Sequence, residues 1–79
     1  MAVNAVKYYR DKAGLTQAAL GKELGLDPAL MSKMETGHLV PTPEQLEKLA
    51  DLLQTTPAHL FSRHILAEVA ERARAEATS

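Results

Sequence analysis

Thr16-Gln17-Ala18-Ala19-Leu20-Gly21-Lys22-Glu23-Leu24-Gly25-Leu26-Asp27-Pro28-Ala29-Leu30-Met31-Ser32-Lys33-Met34-Glu35-Thr36-Gly37 is the stretch on which the reading of this 79-residue chain turns. Thr16 and Asp27 are residues that cap helix starts, because a side-chain oxygen can accept from the free N–H groups of a first turn. Pro28 suits a first helical position, where its missing N–H costs nothing. The spacing therefore predicts helices over about 17–24 and 28–36. Leu20 and Leu24 share one face of the first, and Met31 and Met34 one face of the second. Gly25 between them can take the positive φ of a sharp turn. Gly21, inside a helix, costs about 1 kcal/mol against alanine and marks a place where another backbone comes close.

Working outward, the punctuation stays helical. Thr42-Pro43 and Thr56-Pro57 repeat the cap-plus-proline pattern, and Gln45 can close a capping box on Thr42. Gly14, Gly25 and Gly37 fall where helices should end. Further helices are expected at about 3–12, at about 43–53 and from about 57 onward. Leu46, Leu49, Ala50 and Leu53 make an i, i+3, i+4, i+7 stripe, and no alternating strand pattern occurs. The fold class is all-α, with five helices of which the last is extended.

Composition narrows the function. The chain is 46% hydrophobic and 24% charged, with no cysteine and a net charge of −1. That excludes a disulfide framework and a thiolate metal site. No apolar run approaches the roughly 18 residues of a membrane span. Residues 1–39 hold five Lys/Arg against four Asp/Glu, and residues 40–79 hold four against six, so the first half is the less hostile to phosphate. No nucleophile–base arrangement, zinc motif, phosphate-cradling glycine loop or apolar carboxylate pair is present, which argues against an enzyme, a metal or a cofactor.

Two short helices joined by a tight glycine turn, with a small residue at their crossing, describe a helix-turn-helix. Thr16-Gln17-Ala18-Ala19-Leu20-Gly21, Leu24-Gly25-Leu26, Met31-Ser32-Lys33-Met34-Glu35-Thr36-Gly37 and Pro41 together resemble the lambdoid phage repressor and Cro, or XRE, family. The resemblance covers about residues 3–61. It implies a lambda-repressor-like DNA-binding domain over 1–61, with the second helix across the DNA backbone and the third in the major groove. It also implies residue roles. Thr16 and Gln17 stand at the DNA, Gln17 on a phosphate while bracing the third helix. Pro28, Ala29, Leu30, Ser32 and Lys33 fall at the reading positions, and Thr36, Gly37 and His38 where backbone and side chains meet phosphates. Arg10 and Glu35 match a structural ion pair between the first and third helices.

The reading positions depart from the family, where Gln, Arg or Ser often stand at Pro28, Ala29 and Leu30. Bidentate readout of a purine needs Arg, Lys, Asn or Gln, and only Lys33 qualifies. Lys33 can reach guanine O6 and N7 or sit on a phosphate. Ala29 can lie against a thymine methyl, and Ser32 can bond to several bases. Leu30 either meets the sugar-phosphate edge or packs on the preceding helix. A reader built this way relies on phosphate positioning, one lysine, methyl contacts and DNA shape.

One such helix spans too few base pairs to single out a site, and dimers answer this by placing two about 34 Å apart. Residues 62–79 carry an apolar stripe on which Ile65, Leu66, Val69 and Ala73 are the expected homodimer contacts, though Leu66 and Val69 can also fold back on their own domain. In size and in this last helix the chain resembles restriction–modification controller proteins. The expected function is a dimeric, cytoplasmic transcriptional repressor that binds double-stranded DNA at a two-fold symmetric operator. The alternative is an antitoxin or anti-repressor type module that grips a protein, a toxin or an anti-repressor, through the same scaffold.

Overall fold

The computed structural model describes residues 3–78, and Met1, Ala2 and Ser79 lie outside it. Six helices follow one another: α1 (Val6–Lys12), α2 (Gln17–Leu24), α3 (Pro28–Glu35), α4 (Pro43–Leu52), α5 (Pro57–Leu60) and α6 (Arg63–Thr78). There is no strand among the described residues. The core takes Val6 from α1, Leu20 and Leu24 from α2, Met31 and Met34 from α3, Leu46 and Leu49 from α4, and Leu60, Phe61 and Val69 from the C-terminal part.

The caps work locally. Thr16 Oγ1 accepts from Ala19 N at 3.0 Å and Asp27 Oδ1 from Leu30 N at 2.8 Å. At α4 the capping box is complete: Thr42 Oγ1 accepts from Gln45 N and Gln45 Oε1 from Thr42 N. Thr56 makes no side-chain cap; its hydroxyl lies 3.2 Å from His59 Nδ1 instead.

The first four helices end alike. In each, an N–H two or three residues past the helix end bonds a carbonyl five residues back, and the residue before it is left-handed: Leu15 to Arg10, Leu26 to Gly21, His38 to Lys33 and Thr55 to Ala50. Glycine occupies the left-handed position three times, as its placement in the sequence predicts, but at the end of α4 it is Gln54, with φ 52°. Gly21 is required by the neighbouring turn. A Cβ there would stand 2.6 Å from the carbonyl oxygen of Leu26.

Two boundaries differ from those expected. The first helix begins at Val6 rather than near residue 3, because Asn4 holds the chain before it: its Oδ1 accepts from Val6 N and its Nδ2 donates to the carbonyl of Met34 at 2.9 Å. The expected long fifth helix is broken at Phe61, which is extended (φ −130°, ψ 155°). The carbonyl of Leu60 leaves the helical path to accept from Ala5 N at 3.0 Å, and both Leu60 and Phe61 enter the core. Ser62 then starts α6, its Oγ accepting from Ile65 N.

Candidate nucleic-acid interface

α2 and α3 are locked from below. Met31 and Met34 are fully buried, so the opposite side of α3 must face outward. Pro28, Ala29 and Lys33 are exposed there, and Leu30 and Ser32 half-buried. Spacings of 28–29, 32–33 and 36 place these groups on one helical face.

The orientation of α3 is set by a buried network. Arg10 Nε donates to Glu35 Oε2 at 2.5 Å and its NH2 to Glu35 Oε1 at 3.3 Å, while its NH1 reaches the carbonyl of Leu15 at 2.8 Å. Gln17 Nε2 also donates to Glu35 Oε1, at 2.9 Å. One carboxylate at the end of α3 therefore ties α1, the α1–α2 loop and the first residue of α2. The hydrogen bond that Arg10 donates to Glu35 raises the arginine pKa above its ordinary value, against a smaller opposing effect of burial. Arg10 stays charged at any working pH, but its charge is neutralised at Glu35 and is not offered to DNA. Exposed Lys7, Lys12, Lys22 and Lys33 remain as cations on the first three helices.

The helix ends differ in what they offer an anion. At α2 the N–H groups of Gln17 and Ala18 have no intrahelical partner, which is a ready phosphate seat. At α3 the cap is the carboxylate of Asp27, so that N-terminus already carries a negative charge. Gln17 commits one amide N–H to Glu35 and keeps the second.

The C-terminal end of α3 turns inward more than its sequence suggests. Thr36 Oγ1 lies 3.0 Å from the carbonyl of Ser32 and 3.0 Å from His38 Nδ1, so threonine and histidine bond each other and leave only His38 Nε2 outward. Gly37 has φ 86°, and a Cβ there would meet Val3 Cγ2 at 3.0 Å. Thr16, Gln17, Pro28, Ala29, Leu30, Ser32, Lys33, Thr36, Gly37 and His38 thus all lie on or beside the paired helices α2 and α3. Asn4, which holds the carbonyl of Met34, was not singled out by sequence; its signal was an Asn two residues before a helix start. Gln45, read only as half of a capping box, also donates to the carbonyl of Leu24 at 3.2 Å and so ties α4 to the end of α2.

The expected C-terminal contact residues are divided. Val69 is 4% exposed in the domain's own core. Leu66 and Ala73 line a groove with α4, whereas Ile65 lies on the other side with Val3, Leu39 and Val40. Among the described residues no group of three His, Cys, Asp or Glu side chains is placed to hold a metal. No helix there is long and apolar enough to cross a membrane.

A family model described as a helix-turn-helix domain matches residues 5–61. Comparison with curated proteins and with solved structures finds no match.

Proposed function

Because the chain belongs to the helix-turn-helix domain family, we propose that it is a sequence-specific DNA-binding regulator of the XRE, lambdoid repressor and Cro type. It acts as a homodimeric repressor at a two-fold symmetric operator, in the cytoplasm. The observation that carries this reading is the single uncovered face of α3, with Pro28, Ala29, Ser32 and Lys33 outward and Met31 and Met34 sealed behind.

α3 enters the major groove, with Lys33 on a guanine edge or a phosphate and Ala29 against a thymine methyl. α2 lies across the backbone, its free N–H groups and the second amide hydrogen of Gln17 toward a phosphate. His38 Nε2 and the backbone at Gly37 meet the next phosphate. Residues 1–61 form the reading unit, and 62–79 serve association. The dimer contact lies on the Ile65 flank, where Val3, Leu39 and Val40 adjoin the end of α3. That flank keeps the two-fold axis beside the DNA, as paired half-sites require.

A second reading, a protein-binding module of antitoxin or anti-repressor type, is favoured by one feature, the apolar groove between α4 and α6. Selection from a random pool of short duplexes separates the two. An enriched motif with two-fold symmetry supports the DNA reader. No enrichment by folded protein overturns it.

A further inference from the structure

The groove between α4 and α6 has an apolar floor of Pro43, Leu46, Pro57, Leu66, Ala70 and Ala73 and a volume of about 430 Å³. It contains none of the residues on the uncovered face of α3. On α4, Glu44, Glu47 and Asp51 recur at i, i+3 and i+7, all exposed; Glu47 lines the groove, Glu44 and Asp51 adjoin it past Glu47 and Pro57, and among the described residues none of the three is held in an ion pair. Lys48 is the single cation of α4. The α6 wall is apolar where it lines the groove, with Leu66, Val69, Ala70 and Ala73, and the nearby Arg74 is bonded to Glu71.

We infer that this groove is a docking site for an amphipathic helix of another protein, one with large apolar side chains on a single stripe and Lys or Arg along the edge that meets α4. Two features select that occupant. Charge complementarity sets the sign and the orientation, because only one edge of the bound helix meets the acidic row. Packing sets the size of the side chains. The uncovered part of α6 beyond Leu66 offers only Ala70, Ala73 and Ala77, single methyl groups that would leave the groove hollow if a second copy of α6 lay in it. Leu, Ile or Phe side chains at i, i+3 or i+4 and i+7 would fill it, as in other helix-in-groove complexes. α4 is ten residues long, so the contact spans about 15 Å, or three turns of the partner. The proposal does not rest on the DNA reading, and a bound helix leaves α3 free.

The test is a display library of helical peptides of about 14 residues, randomised on all faces and selected on the full chain. The variant Glu47→Lys serves as a counter-target, and circular dichroism confirms that it folds. Retained peptides should share an apolar stripe with Lys or Arg on one flank only, should bind Glu47→Lys about tenfold more weakly, and should perturb the amide NMR signals of Leu46, Leu66 and Ala70. No retained family, retained peptides without the basic flank, or equal binding to Glu47→Lys overturns the proposal. So does a shift of the same signals with protein concentration alone, which would make the occupant a second copy.

Discussion

Removing Glu35 should cost this protein a large share of its stability. The side chains of Arg10 and Glu35 are 9% and 5% exposed, and two guanidinium nitrogens end on this carboxylate. Glu35→Ala leaves a buried cation with the carbonyl of Leu15 at 2.8 Å and the outlying carboxylate of Asp11 at 3.2 Å. Breaking a buried pair from one side costs about 3–5 kcal/mol, because the remaining charge stays desolvated. Asp11 still faces the guanidinium, so the low end, about 3 kcal/mol, is expected here. A chain of this length has about 4–12 kcal/mol in all. Loss of 3 kcal/mol lowers Tm by about 12–24 °C. The double variant Arg10→Met, Glu35→Leu removes both charges and fills their space, and it should return to within about 1–2 kcal/mol of the parent. Urea denaturation of the parent, Glu35→Leu, Arg10→Met and the double variant closes the cycle, with Glu35→Ala measured beside it and equal m-values as the check on two-state unfolding. A loss below about 1 kcal/mol for Glu35→Ala, or a double variant no better than the single one, would refute the account, since the network would then be no more than a surface ion pair.

Four further outcomes are expected. Gln54→Gly should stabilise by about 0.5–1 kcal/mol in thermal denaturation, because Gln54 is held at φ 52° where a side chain is strained, less the greater freedom of glycine in the unfolded chain. Gly21→Val should destabilise by about 2–3 kcal/mol in urea, as its Cβ would stand 2.6 Å from a backbone oxygen that cannot swing away. Lys33→Ala, compared on a panel of operator variants, should relax preference at one base position by about 1–3 kcal/mol; a uniform loss on all sequences would reduce Lys33 to a phosphate contact. Ile65→Asp should halve the mass seen by sedimentation and weaken operator binding, whereas an unchanged mass would remove the Ile65 flank from the dimer. Val69 is unsuited to that test because it is part of the core of its own domain.

Legibility followed distance along the chain. The caps at Thr16, Asp27 and Thr42 and the glycine stops at Gly14, Gly25 and Gly37 act within one helical turn, and the residue type states the geometry. The close approach at Gly21 could also be read, since a glycine inside a helix needs a reason. Gln54 could not, because nothing in a glutamine announces a left-handed backbone; it stands in a turn closed by the N–H of Gln54 to the carbonyl of Asp51 and of Thr55 to that of Ala50, with Leu53 buried in the core. The break at Phe61 escaped for a like reason. Pro57 through Ala77 is locally a good helix, and only the hydrogen bond from Ala5 to Leu60 and the burial of Phe61 interrupt it.

By itself, then, the sequence determined the helical class, the paired helices α2 and α3 and the outward positions of Pro28, Ala29 and Lys33. These follow from apolar spacing and capping, which depend on neighbours three or four residues away. Tertiary structure alone decided that the group Gln17 braces on the third helix is the same Glu35 carboxylate that holds Arg10, that Thr36 and His38 bind each other, and that the apolar stripe of α6 divides into a core residue, a groove wall and a separate flank. Each of those outcomes depends on which surface a helix meets. A helical stripe specifies that it will be covered, but the same leucine or alanine serves any apolar neighbour, and only the packed chain selects one.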